Sequence, residues 1–173
     1  ANKSTQVSPV SADDVINEFG ASIKFVLNGG SCIIGLESTV VDLTSKVKIL
    51  RPGLINPSDI SKVLNKKTNV YKGAKIIKAP GMLKRHYSPG IRIKLNQKKA
   101  KDNQAFIVFG EKYKKAKNVF NLSRKSNLNE AARNLYKILR LIKNKNYKMI
   151  CVSSIPKTGI GLAINDRLSR AAK

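Results

Sequence analysis

The strongest constraint on the fold lies in residues 104–156, where one long amphipathic helix is set between short apolar runs. In SNLNEAARNLYKILRLIKNK (126–145) apolar side chains fall at 128, 131, 132, 135, 138, 139 and 142. That spacing follows the helical turn and lays a single buried stripe along one face. Asn127 and Glu130, three apart, form a start similar to a capping box. Ahead of the helix, QAFIVFG (104–110) is an apolar run closed by Gly110, and NVFNLS (118–123) is a shorter one. Behind it, YKMICVSSIP (147–156) is stopped by Pro156, and GIGLAINDRLSRAAK (159–173) turns on glycines into a final helix. Apolar strands that alternate with helices read as a largely parallel sheet whose faces the helices cover. The order β-β-α-β-α predicts a small doubly wound sheet.

The front of the chain also reads as α/β. SADDVINEFG (11–20) is a short helix with Ser11 as cap, Asp13 and Asp14 in its first turn, and Gly20 as its stop. SIKFVLNGG (22–30) alternates and then turns, SCIIGLESTVVDLT (31–44) holds two β-branched runs around Gly35, and VKILRPG (47–53) ends on Pro52-Gly53. So many strands in so short a stretch need partners, and some of those partners are expected to lie outside this chain. NPSDISKVLNK (56–66) is a helix with Pro57 in its first turn and Asn56 or Ser58 as cap. From Lys67 to about Asn103 no periodicity is sustained, so this stretch is expected to connect two domains. Within it, APGMLKRHYSPG (79–90) gathers the only histidine, His86, with Tyr87, Lys84 and Arg85 between two Pro-Gly pairs.

Charge narrows the partners. The chain carries +24, yet residues 1–45 carry −3, so the remainder carries +27. Such an excess attracts polyanions, or it is a solvated lysine-rich surface and nothing more. No basic strand pair interleaved with aromatics is present to stack bases. No apolar run approaches the roughly 20 residues of a membrane span, and no secretion signal is expected. Cys32 and Cys151 both sit in apolar, strand-like contexts and are expected as buried thiols of a reducing, cytoplasmic protein. No His/Cys cluster has metal-ligand spacing.

Three places could carry chemistry. Glu37, Ser38 and Thr39 lie between Gly35 and a β-branched run, where small hydroxyls bind an amino acid or phosphate, or else finish a strand. Arg51, held by the rigid Pro52-Gly53 turn, could grip phosphate oxygens in a bidentate fork or form a surface ion pair. His86 is either an acid–base group or a structural residue, and Tyr87 could stack on a base or reach a phosphate. GIGLAIND lacks the full spacing of a phosphate-binding fingerprint and fits helix–sheet packing better. No nucleophile elbow and no convincing carboxylate pair appear, so no covalent hydrolase chemistry is expected.

Four segments in order, ANKSTQVSP (1–9), GLESTVVDLTSKVKILRPG (35–53), APGMLKRHYSPG (79–90) and GIGLAINDRLSRAA (159–172), resemble the long, two-domain form of the L-threonylcarbamoyl-AMP synthase family. The resemblance implies an incomplete YrdC-like α/β domain over 1–56, a linker with an HYSP lid loop over 57–103, and a small Rossmann-like doubly wound domain over 104–173. It implies an enzyme that joins L-threonine, bicarbonate and ATP, with Mg²⁺, into threonylcarbamoyl-AMP and pyrophosphate for tRNA modification. Carried over by motif, Asn2, Ser8, Arg51 and Tyr87 would bind ATP, Ser38 would bind threonine, and His86 and Ser88 would shape the lid. No side chain is assigned as a catalytic nucleophile, and no metal ligands are assigned. The family's catalytic domain begins well before the segment matched here, so the chain is expected to lack an N-terminal half and to be inactive alone. Its rivals are a non-catalytic remnant or subunit of a split enzyme, and a basic module contacting double-stranded RNA or tRNA.

Overall fold

A computed structural model describes residues 2–44, 46–71, 83 and 85–173. Ala1, and residues 79–82 and Lys84 of the Pro-Gly-bounded loop, lie outside the described residues.

The front segment opens with α1 (Ala12–Phe19), capped as expected: the Asp14 amide donates to Ser11 Oγ at 3.3 Å, and Gly20 ends the helix at φ 52°. A small sheet follows, made of β1 (Val40–Asp42), β2 (Lys48–Arg51) and, beyond helix α2 (Pro57–Leu64), β3 (Asn69–Val70). β2 is central, antiparallel to β1 and parallel to β3, and a bulge falls between Val40 and Val41. Asn56 is the residue that caps α2, with Pro57 inside the first turn.

The second sheet contains β4 (Ile93–Lys94), β5 (Gln104–Val108), β6 (Val119–Asn121) and β7 (Met149–Val152), in the order β4-β7-β5-β6 and parallel throughout. Ile93 and Lys94, expected within a connection, form its edge strand. Two residues are too few to register as a period, and β7 supplies the ladder that makes them a strand. Helices α3 (Leu128–Lys143) and α4 (Gly161–Ala171) complete the unit. Asn127 caps α3 by accepting from the Glu130 amide at 2.9 Å, while the Glu130 carboxylate accepts from Ser123 Oγ instead of closing a capping box.

Both helices lie on one face. Ala105, Ile107, Ile150 and Val152 turn toward Ala131, Leu135, Tyr136 and Leu139 of α3 and Ile164 and Leu168 of α4. The alternate residues Phe106, Val108 and Cys151 turn the other way, onto Ala100, Tyr113 and Val119 from connections and the edge strand. The expectation of a small parallel α/β sheet holds. Val7, Val10, Leu36 and Tyr87 join the α3/α4 core, so these residues of the front segment and Tyr87 are packed onto the C-terminal sheet unit.

The runs at 22–30 and 31–39 are not strands. Phe25, Leu27 and Ile33 are 89, 99 and 85 % exposed. Their apolar pattern is real, but a strand needs a ladder, and no neighbouring strand among the described residues provides one. Cys32 is correspondingly exposed, against expectation, whereas Cys151 is buried, and both are free thiols. Among the described residues no helix is long and apolar enough to cross a membrane.

Candidate functional site

Glu37 is the centre around which the expected site residues gather. Its carboxylate accepts from Ser8 Oγ at 2.6 Å, from Tyr136 Oη at 3.0 and 2.9 Å, and from Arg167 Nε at 2.8 Å. Burial would raise its pKa; Arg167, with the bonds from Ser8 and Arg167, outweighs that and holds it below the ordinary value. Arg167 is fully buried and anchored by a second carboxylate, Asp166, at 2.8 Å. Burial opposes its charge, and the surrounding Tyr136, Tyr87 and Glu37 restore it, so the guanidinium pKa is raised.

Ser38 and Arg51 meet next door. Arg51 Nε donates to the Ser38 carbonyl at 3.0 Å, and Nη2 reaches Ser38 Oγ at 3.3 Å. The Pro52-Gly53 turn makes this contact feasible. A Cβ on Gly53 would strike the backbone nitrogen of Thr39 and stand 2.6 Å from the Ser38 carbonyl carbon. Glycine therefore lets the Arg-Pro-Gly turn lie directly on the Glu-Ser-Thr strand end. Thr39 Oγ1 donates to the Ile55 carbonyl at 2.8 Å and closes the same junction.

The loop containing His86 folds back over this cluster. The Ser88 amide donates to the Thr5 carbonyl at 2.9 Å, and Gln6 and Ser88 form an isolated parallel bridge. Tyr87 adopts φ 60°, only 1 % exposed, with its ring stacked on Tyr136 at 5.8 Å and the Arg167 guanidinium 5.0 Å from its centroid. Burial, together with Glu37, raises its phenol pKa against the opposing fields of Arg167 and Arg51. His86 is pushed below its ordinary pKa by burial and by Arg167, Arg170 and Arg51, with Glu37 opposing. A neutral imidazole at pH 7 follows, shaping the loop beside Tyr87, its ring centroid 4.0 Å away.

Of the residues singled out from sequence, Ser8, Ser38, Arg51, His86, Tyr87 and Ser88 come together here. Asn2 does not join them; its amide donates to the carbonyls of Lys3 at 2.9 Å and Gln6 at 3.4 Å. Sequence reasoning singled out Glu37 with its hydroxyl neighbours but not as the centre of the cluster, and it missed Tyr136, Arg140 and Arg167. Tyr136 sits on the buried stripe of α3 and reads there as core. Arg140 holds the Ser8 segment, donating to the carbonyls of Val7 and Ser8 and to Glu18 at 2.7 Å. Among the described residues no group of three His, Cys, Asp or Glu side chains could hold a metal.

Comparison with known proteins decides the family. Residues 55–173 match the family described as "Threonylcarbamoyl-AMP synthase, C-terminal domain". The chain belongs to the threonylcarbamoyl-AMP synthase family. Residues 1–53 match a second family, described as "Telomere recombination". The chain is 34 % identical over 192 residues to the threonylcarbamoyl-AMP synthase of Pyrococcus abyssi, covering 99 % of this chain and 56 % of that one. It is 30 % identical over 208 residues to the threonylcarbamoyl-AMP synthase of Schizosaccharomyces pombe, covering 99 % and 50 %. The crystal structure of P. abyssi Sua5 complexed with L-threonine superposes with a TM-score of 0.85 at 31 % identity, covering 99 % of this chain and 56 % of that chain. The chain thus spans about half the length of the synthase-family relatives it matches.

Proposed function

We propose that this chain supplies the Ser38, Arg51 and lid-loop side of a site that makes L-threonylcarbamoyl-AMP from L-threonine, bicarbonate and ATP. The observation that supports it is the convergence of Ser8, Ser38, Arg51 and Tyr87 around one partly buried carboxylate, Glu37, with His86 beside them. Threonine and bicarbonate give a carbamate with loss of water. A carbamate oxygen then bonds to the ATP α-phosphorus as the bond from that phosphorus to the bridging oxygen breaks and pyrophosphate leaves. Such a displacement needs positioning and charge stabilisation and no protein nucleophile. Ser38 holds the threonine, Arg51 offers its guanidinium to phosphate oxygens, and Ser8 contacts the nucleotide. Tyr87 closes over it, with His86 and Ser88 fixing the loop that excludes water. Mg²⁺ would accompany the ATP and offset part of the phosphate charge, with no protein ligand assigned to it.

The exposed Phe25, Leu27 and Ile33 are the side chains that a further strand-bearing segment, in the same polypeptide or another, would cover to complete the site. Domain limits at 1–56, 57–103 and 104–173 suit this division of labour, with Ile93 and Lys94 lent to the C-terminal sheet. The reaction belongs in the cytoplasm, where tRNA is modified. The charge of +27 outside residues 1–45 suits contact with tRNA or another double-stranded RNA, read as a steep fall of affinity with salt.

The test is pyrophosphate release from ATP, L-threonine and bicarbonate, by this chain alone and with the front half of a related synthase domain added. Release in the mixture alone supports a site shared between the two parts, and release by the chain alone shows that its own residues suffice. Silence in both overturns the proposal.

A further inference from the structure

Among the described residues Arg167 is the one charged residue with no exposure at all, and it lies on α4, 130 residues from its partner Glu37. Two of its contacts, Glu37 and the Tyr87 ring, lead directly to the proposed site. Glu37 precedes Ser38, whose carbonyl and hydroxyl are held by Arg51. The guanidinium faces the Tyr87 ring. Asp166, which anchors Arg167 from below, also receives Arg170 Nε at 3.1 Å. Arg170 Nη1 in turn donates to the Leu83 carbonyl at 3.0 Å, and its own carbonyl accepts from the His86 amide at 3.4 Å. A single helix therefore grips the Glu-Ser-Thr strand end and the lid loop at once.

A buried pair of this kind is weak as a device for stability, since apolar residues of similar volume stabilise as well or better. It excels at fixing geometry, because a planar fork bonded on two edges has one orientation, and lysine cannot reproduce it. We infer that Arg167 is a positioning residue: through Glu37 it sets the Ser38–Arg51 junction, and through the Tyr87 ring it sets the closed lid. The C-terminal unit thereby controls capture of threonine and nucleotide without touching either. What Ser38 and Tyr87 capture rests on the function proposed above; the clamp itself does not.

Hydrogen exchange by mass spectrometry tests the clamp directly, on the full chain, for Arg167→Met and Arg167→Lys. Peptides covering 83–90 and 35–40 are expected to exchange at least about tenfold faster in both variants, with 104–110 unchanged in rate. In the two-part pyrophosphate assay the KM for threonine and ATP should rise on the order of tenfold to a hundredfold, the effect of displacing a contact by about 1 Å. If Arg167→Met does not fold, Glu37→Gln combined with Arg167→Met removes both charges together and restores a neutral core. The lid peptide should still exchange fast in that double variant. Exchange of 83–90 within about twofold of wild type, in whichever of these variants folds, overturns the inference. Should the wild-type mixture release no pyrophosphate, the proposed reaction has failed, and the exchange data still decide the clamp.

Discussion

Replacing Glu37 by glutamine removes one charge at nearly constant shape and leaves Arg167 fully buried beside a neutral amide. The carboxylate side chain is 22 % exposed and that of Arg167 is 0 % exposed, so water screens the pair little. Three side chains donate to Glu37; with glutamine the bonds from Ser8 and Tyr136 fall from charge-assisted bonds of roughly 1.5–3 kcal/mol to neutral ones near 1 kcal/mol, and the bond from Arg167 keeps only the charge of its donor. Breaking a buried pair by removing one partner costs about 3–5 kcal/mol. Asp166 remains at 2.8 Å from Nη1 and keeps the guanidinium half-compensated, which brings the expected loss to about 2–3 kcal/mol. For a chain of this size that is a fall of roughly 5–10 °C in Tm. Urea unfolding followed by circular dichroism, at pH 7 and moderate salt, measures it. Because Glu37 titrates below its ordinary 4.5 in the folded state, the gap between wild type and variant should be full above that pH and close as pH falls below it. A loss under about 1 kcal/mol at pH 7, or a gap that does not narrow as pH falls below 4.5, would refute the assignment of a charged, Arg167-paired Glu37.

Gly53→Ala should cost about 1–3 kcal/mol and loosen the Arg51–Ser38 contact, because its Cβ meets the backbone of residues 37–39; thermal melts and threonine titration check both effects. Arg140→Gln should release the Val7–Ser8 backbone and α1 with a loss of about 1–3 kcal/mol, seen as faster amide exchange over residues 7–19 and little change in 104–110. Leu135→Ala, in the core between α3 and the second sheet, should cost about 2–5 kcal/mol in urea unfolding. Stability should also fall as pH drops below about 6.5, since the unfolded chain protonates His86 there while burial and three arginines keep the folded imidazole neutral; His86→Asn should flatten that part of the profile.

Much of the C-terminal unit was written locally. The stripe on α3, the Asn127 cap, and the apolar runs of β5 and β7 each declare themselves within a dozen residues, because helix periodicity and strand composition depend on near neighbours. The same holds for Ser11 before α1 and Pro57 at the head of α2. The order of resembling segments also carried the family, and it marked Ser38, Arg51 and Tyr87. Tertiary structure decided the rest. Whether an apolar run becomes a strand depends on a ladder from elsewhere, so Ile93–Lys94 gained one from β7 while Phe25 and Leu27 did not. Which face a helix covers depends on connection paths, which is why α3 and α4 share one side of the sheet. Above all, the meeting of Glu37 with Arg167, Tyr136 and Ser8 joins positions up to 130 residues apart. No local pattern distinguishes a tyrosine or arginine on a buried helix face from one that packs and nothing more. Only the burial of the charges, and the requirement that each find a partner there, selects that arrangement.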